Sequence, residues 1–151
     1  MTSAQGFTKI VVAFDGSEDS AKAVRLAGLV ASKQGSSVIL IHVYPSPALG
    51  FSAASGMPIP DYGELEEAAK AAGHETLSRG LKLASEAGIE AKGELVEAPS
   101  VVEAIVNFAS SQNADLIVVG TRGMTGFKKL ILGSVSSGLI GHAGCPVLVA
   151  R

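Results

Sequence analysis

Glycine and serine residues cluster in the last third of the chain, where their spacing suits an anion. Gly120 and Gly123 follow a short apolar run, and Gly133 precedes Ser134 and Ser136. A glycine after a strand lets backbone N–H groups approach an anion closely. Unpaired N–H groups and the helix dipole favour phosphate where a helix begins. The segment 120–136 therefore predicts an anion-binding crevice, in which the two serine hydroxyls add hydrogen bonds.

Charged side chains near this segment indicate that the anion could be a nucleotide. Arg122, Lys128 and Lys129 lie within the segment and can supply positive charge. Asp15 directly follows an apolar run near the N-terminus. Its carboxylate is expected at the same crevice, where it would contact a ribose or help to hold Mg²⁺. Together these residues suit a ligand with several phosphates.

A simpler interpretation of the glycines stays open at this point. With 18 glycines in 151 residues, any one of them can be a turn residue that binds nothing. The sequence contains no P-loop, in which two glycines precede Lys and Ser or Thr, and no Gly-x-Gly-x-x-Gly turn after the first apolar run. Spacing alone therefore indicates an anion site without identifying the anion.

Apolar runs and helical patterns alternate along the chain and must position these residues. The short runs at 10–14, 38–43, 116–119 and 146–150 are rich in β-branched residues, which is typical of strands covered on both faces. Residues 91–97 are more polar and predict an edge strand. Helices are expected from a Ser17 cap to Gly35, over 62–87, after a Ser100 cap, and over 134–142.

The order β-α-β-α-β-α-β-α-β predicts an α/β fold, with an open doubly wound parallel sheet in a single domain spanning residues 1–151. Ligands of such sheets bind outside the carboxyl ends of the strands. The stretch from Tyr44 to Pro60, which contains four prolines, is the long irregular segment. Its position after the second strand makes it a candidate flap over the ligand.

The composition excludes several classes of protein. The chain is 47% hydrophobic and 17% charged, unlike a disordered protein, and its net charge of −2 gives no electrostatic basis for binding nucleic acid or an anionic membrane. The single cysteine, Cys145, predicts neither an intramolecular disulfide nor a cysteine-built metal site. Because neither a signal peptide nor an apolar segment of about 20 residues is found, we expect a soluble cytoplasmic protein.

Several motifs resemble the universal stress protein family and span nearly the whole chain. Three segments match strands of that family: the first apolar run with Asp15-Gly-Ser-Glu-Asp-Ser, the Leu40-Ile-His-Val end of the second run, and the closing Cys145-Pro-Val-Leu-Val. The spacing Gly120-x2-Gly123-x9-Gly133-Ser134 matches, without a gap, the signature of the family's ATP-binding branch.

The resemblance implies a five-stranded sheet in the order 3-2-1-4-5 and bound ATP, with Mg²⁺ or Mn²⁺ at its phosphates. Adenine and ribose would lie near Ala13, Asp15 and Val43, and Asp15 is the side chain expected at the metal. The phosphates would contact, mainly through backbone N–H groups, Gly120, Arg122, Gly123, Gly133, Ser134, Val135 and Ser136.

The same residues indicate binding rather than catalysis. His42 is interpreted as a packed core or crevice histidine rather than a catalytic base, and Cys145 as a small buried hydrophobe. The glycine signature offers no base to activate water, so the nucleotide is expected to be a regulatory ligand in a stress response, with at most slow ATP hydrolysis. Two alternatives stay open: a structural or signalling dimer that binds AMP or cyclic AMP, and a nucleotide-transfer enzyme on a related fold. The second is disfavoured because no His-x-Gly-His follows the first run.

The last apolar run predicts a partner. The residues from Pro146 to Arg151 would form an apolar edge strand, which invites pairing with another strand. The resemblance implies that this strand pairs with its twin across a two-fold axis. We therefore expect a homodimer, which could also meet a regulatory protein partner that the sequence does not identify.

Overall fold

The computed structural model describes residues 6–46, 62–121 and 132–151, which form strands and helices in strict alternation. The predicted order of elements is confirmed, with boundaries within one or two residues of the expected positions. The elements are β1 (Lys9–Ala13), α1 (Glu18–Gln34), β2 (Ser37–Tyr44), α2 (Tyr62–Glu86), β3 (Ala91–Glu97), α3 (Val101–Ser111), β4 (Leu116–Gly120), α4 (Ser134–His142) and β5 (Val147–Ala150).

The five strands form one parallel sheet in the order β3-β2-β1-β4-β5, which confirms the predicted topology. The central strand β1 pairs on both sides, so that Val11 lies opposite Ile39 of β2 and Ile117 of β4. The polar strand β3 lies at one edge, as its composition predicts, and β5 lies at the other.

Each face of the sheet is covered by two helices, because alternate side chains of a strand point to opposite faces. Ile10 and Val12 pack in a core with α1 and α2, whereas Val11 and Ala13 pack in a second core with α3 and α4. These four β1 residues are all buried. The continuous apolar run of β1 is therefore explained by burial on both faces.

Side-chain caps start two of the helices where the sequence places them. The Ser17 hydroxyl accepts a hydrogen bond from the backbone N–H of Ser20 at 3.1 Å, and the Ser100 hydroxyl accepts one from Glu103 at 3.2 Å. Each such cap stabilises a helix by about 1 kcal/mol. Both caps fix the points at which α1 and α3 rise from the carboxyl edge of the sheet.

Part of the expected flap belongs to the sheet instead. Tyr44 is the last residue of β2, where it pairs with Glu97, and its carbonyl accepts a hydrogen bond from the N–H of Ala98 at 3.1 Å. Residues 47–61 lie outside the described ranges. Within those ranges, no helix has the length and hydropathy needed to span a bilayer.

The end of β4 lies against the first turn of α1 so closely that only glycine fits. A Cβ atom on Gly120 would lie 2.6 Å from the backbone carbon and 2.7 Å from the carbonyl oxygen of Asp19. Backbone cannot give way as the tip of a flexible side chain can. Gly120 is therefore required by packing, whether or not a ligand is bound.

We predict that Gly120→Ala lowers the free energy of unfolding by about 1–3 kcal/mol, because the added methyl overpacks this contact. Urea unfolding followed by circular dichroism measures the change. Gly141→Ala in α4 is the matched control, since its Cβ would meet nothing within 4 Å and should leave stability unchanged or raise it by up to about 1 kcal/mol. Equal stability of Gly120→Ala and the wild type would contradict this contact.

Candidate functional site

A cleft of about 540 Å³ opens at the carboxyl ends of β1, β2 and β4. It lies beside the boundary between β1 and β4, where the strand order reverses, which is the position at which open α/β sheets bind ligands. Its walls are largely apolar, with Ile41 and Val119 from the sheet facing Val101 and Ile105 from α3. Such a surface can bury a flat, weakly polar group such as a nucleobase.

Eight of the ten residues predicted for the site line this one cleft, although they come from four separate parts of the chain. Arg122 and Gly123 lie outside the described residues. The eight that the fold brings together are Ala13, Asp15, Val43, Gly120, Gly133, Ser134, Val135 and Ser136.

The first turn of α4 supplies the polar side of the cleft. Gly133 is its N-cap and makes no side-chain cap hydrogen bond. The first N–H groups of a helix have no acceptor within the helix, so those of Ser134, Val135 and Ser136 need an acceptor from outside it. Together with the positive end of the helix dipole, they suit a phosphate group.

The Ser136 hydroxyl is hydrogen-bonded within the protein. This corrects the expectation that it adds a hydrogen bond to an anion. Ser136 is only 1% exposed. Its Oγ lies 3.0 Å from the carbonyl oxygen of Thr121 and 3.0 Å from that of Gly133, so the hydroxyl donates to the backbone. Of the two predicted hydroxyls, only that of the exposed Ser134 is left at the rim.

Asp15 lies on the opposite rim, in the turn between β1 and α1. Its Oδ1 accepts a hydrogen bond from the N–H of Ser17 at 2.9 Å, and the φ angle of +85° at Gly16 lets the chain turn sharply between them. The carboxylate is exposed yet held by its own turn. It is thus placed to accept further hydrogen bonds from donors at the rim of the cleft.

The described residues do not build a metal site by themselves. No group of three or more His, Cys, Asp or Glu side chains within the described ranges is arranged to hold an ion. Mg²⁺ commonly takes one or two carboxylates together with substrate phosphates and water. Asp15 therefore fits such an ion only if the ligand supplies most of the oxygen atoms.

The sequence left His42 in the core or in the crevice without a role in binding, and the structure places it in the lining of the cleft. Its Nδ1 lies 2.9 Å from the carbonyl oxygen of Phe14, and a carbonyl can only accept, so Nδ1 carries a proton. The histidine thereby ties the end of β1 to β2. The other lining residues that were missed are Phe14, Ser20, Ile41, Val101, Ile105, Val119 and Leu132.

Cys145 packs against the second core, as expected, but it is half-buried rather than buried. Burial raises the pKa of its thiol, and the negative charge of Asp115 raises it further. The thiol is therefore protonated near neutral pH and is a poor nucleophile.

Comparison with known proteins identifies the family. The model of the universal stress protein family matches residues 6–151. A universal stress protein of Methanocaldococcus jannaschii is 37% identical over 146 residues, which are 96% of this chain and 82% of that protein.

Solved structures of similar proteins share the fold. A universal stress protein in complex with cAMP has a TM-score of 0.67 and 26% identity, over 97% of this chain and 98% of that chain. The universal stress protein of Archaeoglobus fulgidus in complex with dAMP has a TM-score of 0.66 and 25% identity, over 95% of this chain and 98% of that chain. With the family model matched from residue 6 to the last residue, this chain belongs to the universal stress protein family.

Proposed function

We propose that this protein binds ATP, with Mg²⁺ or Mn²⁺ at the phosphates, as a regulatory ligand in a stress response. The observation that carries the proposal is the convergence of three surfaces on one cleft: apolar walls, the Asp15 carboxylate and the uncapped first turn of α4. These surfaces match in order the base, the sugar and the phosphates of a nucleotide.

Each part of the ligand meets a matching surface. The base lies against Ala13 and Val43, and the ribose hydroxyls donate to Asp15. The phosphates accept from the N–H groups at the start of α4, where no side chain of Gly133 competes for them. The related proteins solved with cAMP and dAMP support an adenine nucleotide as the ligand class.

A metal ion would neutralise the charge of the phosphates when it is bound. Asp15 is the carboxylate of the described cleft that could hold it, either directly or through water. The chain's own contribution is to orient the phosphates along the first turn of α4 and to keep the base in its apolar pocket.

Regulation rather than catalysis follows from the side chains that face the ligand. Asp15 and His42 are the titratable residues among those described as lining the cleft. The Nδ1–H of His42 donates to Phe14 and leaves Nε2 as an acceptor, and Asp15 accepts from Ser17 through Oδ1 alone. In the proposed orientation both residues lie at the base and the ribose, whereas the phosphates lie at the first turn of α4, whose described lining residues include no base. Since general base catalysis requires a base within hydrogen-bond reach of the proton that it removes, hydrolysis of ATP is expected to be slow.

A second candidate function is the binding of AMP or cyclic AMP by a structural or signalling dimer. It is favoured by the monophosphate nucleotides in the two similar structures. The first turn of one helix is enough to hold a single phosphate. Relative affinities for the three nucleotides separate this candidate from the first.

We predict that calorimetric titration detects binding of ATP, and that Asp15→Asn weakens it about tenfold, because a charged acceptor at the ribose or metal is lost. Asparagine keeps the oxygen that accepts from Ser17. Glu18→Gln is the matched control, since it removes one charge from an exposed residue nearby that does not line the cleft.

Three results decide between the candidates. The first candidate is supported if the protein binds ATP more tightly than AMP or cyclic AMP, and more tightly with Mg²⁺ than without it. Preference for a monophosphate supports the second. No heat with any of the three nucleotides contradicts both.

The free edge of β5 supports a further proposal, that the protein forms a homodimer. Among the described residues, only β4 pairs with β5. The side chains of Val147, Leu148 and Val149 are half-buried. The carbonyl oxygen of Pro146 accepts from the N–H of Ile117 in β4, and that of Ala150 accepts from the N–H of Thr121 directly after β4, at 3.0 Å each. Because hydrogen bonding alternates along a parallel strand, the N–H groups of Val147 and Val149 point to the open edge.

We predict that Val149→Pro yields a monomer, because it removes one of these outward donors and spares the bonds between β5 and β4. Size-exclusion chromatography with light scattering should give twice the chain mass of 15.3 kDa for the wild type. Val149→Thr keeps the N–H and the β-branched shape, so it should remain dimeric. A wild type of 15.3 kDa, or a dimeric Val149→Pro variant, would remove the proposed interface.

A further inference from the structure

Thr121 directly follows Gly120, which lines the cleft, and it joins three elements. Its N–H donates to the carbonyl oxygen of Ala150 in β5 at 3.0 Å, and its hydroxyl donates to Oδ2 of Asp19 in α1 at 2.8 Å. Its carbonyl oxygen accepts from the N–H of Gly133 at 2.6 Å and from Oγ of Ser136 at 3.0 Å. With 9% of its surface exposed, Thr121 uses all of its polar groups within the protein.

Ser136 completes this junction from the side of α4. Its buried hydroxyl has a single proton, which is shared between the carbonyl oxygens of Thr121 and Gly133. The start of α4 is thereby held to the end of β4 by two contacts, the Gly133 N–H and the Ser136 hydroxyl. We call this pair of contacts on Thr121 the β4–α4 clasp.

The clasp holds the same turn of α4 whose residues Gly133 to Ser136 line the cleft. A first turn that lacks a side-chain cap frays easily, because its N–H groups and dihedral angles are held by few bonds. Gly133 provides no such cap. The clasp instead holds the turn through the Gly133 N–H and the Ser136 hydroxyl, so the N–H groups of the first turn are left to a ligand.

We propose that Ser136 and Thr121 are positioning residues that hold the first turn of α4 in the geometry that receives a phosphate. They set the affinity for phosphate-bearing ligands through the clasp, while their side chains do not touch the ligand. This inference rests on the proposed nucleotide binding. It assigns to the Ser136 hydroxyl a task distinct from phosphate contact.

The variants that test the clasp are expected to fold. Ser136→Ala removes the shared proton, but the Thr121 carbonyl keeps the Gly133 N–H, and alanine is a good helix former. Thr121→Val keeps the shape of the side chain and both clasp contacts, and it removes the bond to Asp19 that anchors the residue carrying the clasp carbonyl to α1. Thr121→Ser restores that hydroxyl, and Ser137→Ala removes an exposed hydroxyl from the same turn as the control.

The experiment compares AMP with adenosine, because only AMP carries a phosphate. Calorimetric titration is expected to show that Ser136→Ala weakens AMP about tenfold and adenosine by less than about twofold. Thr121→Val should weaken AMP by about threefold, Thr121→Ser should recover the wild-type affinity, and Ser137→Ala should match the wild type. Equal losses for AMP and adenosine, or unchanged AMP affinity in Ser136→Ala, would overturn the positioning role.

Amide hydrogen exchange without ligand tests the clasp independently of binding. Ser136→Ala should speed exchange at the amides of Gly133 and Ser137, which are hydrogen-bonded at the start of α4, and should leave those of β1 unchanged. Unchanged exchange at Gly133 and Ser137 would contradict the clasp. If the wild type binds neither AMP nor adenosine, the proposed function is contradicted. Faster exchange at these amides in Ser136→Ala would still support the clasp.

Discussion

The order of strands reverses between β1 and β4, and the position of every candidate site residue depends on that reversal. From β1 the chain builds outward to β2 and β3, then returns past β1 to form β4 and β5. Because parallel crossovers are right-handed, helices of the two halves lie on opposite faces of the sheet. The helices therefore leave the carboxyl edge in different directions at the reversal, and the cleft opens where they part.

The two glycines and the two serines of the glycine-rich segment have different structural roles. Gly120 is glycine because β4 meets the backbone of Asp19. Gly133 starts α4 without a side-chain cap and leaves the N–H groups of the first turn to the cleft. Ser134 is exposed at the rim, whereas the Ser136 hydroxyl is buried on the Thr121 carbonyl. Within one motif, Gly120 is thus required by packing, whereas Gly133 leaves the N–H groups of the following turn available to a ligand.

Local patterns were enough to predict most of the architecture. Strands covered on both faces, such as β1, are continuous apolar runs, and Ser17 and Ser100 mark helix starts by capping chemistry that acts within three residues. The polar composition of β3 identified it as an edge strand. The strand order itself came from the family resemblance, since periodicity does not say which strands are neighbours.

The candidate site was harder to predict wherever it depends on tertiary neighbours. Val101 and Ile105 belong to a helix whose apolar residues are accounted for by packing on the sheet, and nothing local indicates that these two also line a cleft. Ile41 could have been found, because it lies two residues before Val43 and so shares its face of the sheet. The contact of Gly120 with Asp19 joins residues about a hundred positions apart, beyond the reach of any motif.

We infer that one nucleotide occupies the cleft between the end of β1 and the start of α4. Titration of the ¹⁵N-labelled protein with ATP, followed by amide NMR shifts, tests this inference. Among the described residues, we expect the largest shifts at Ala13, Asp15 and Val43 and at Gly133 to Ser136, with little change in β3. Absence of shifts, or shifts centred on the outer groove between α1 and α2 around Arg79 and Lys82, would contradict it.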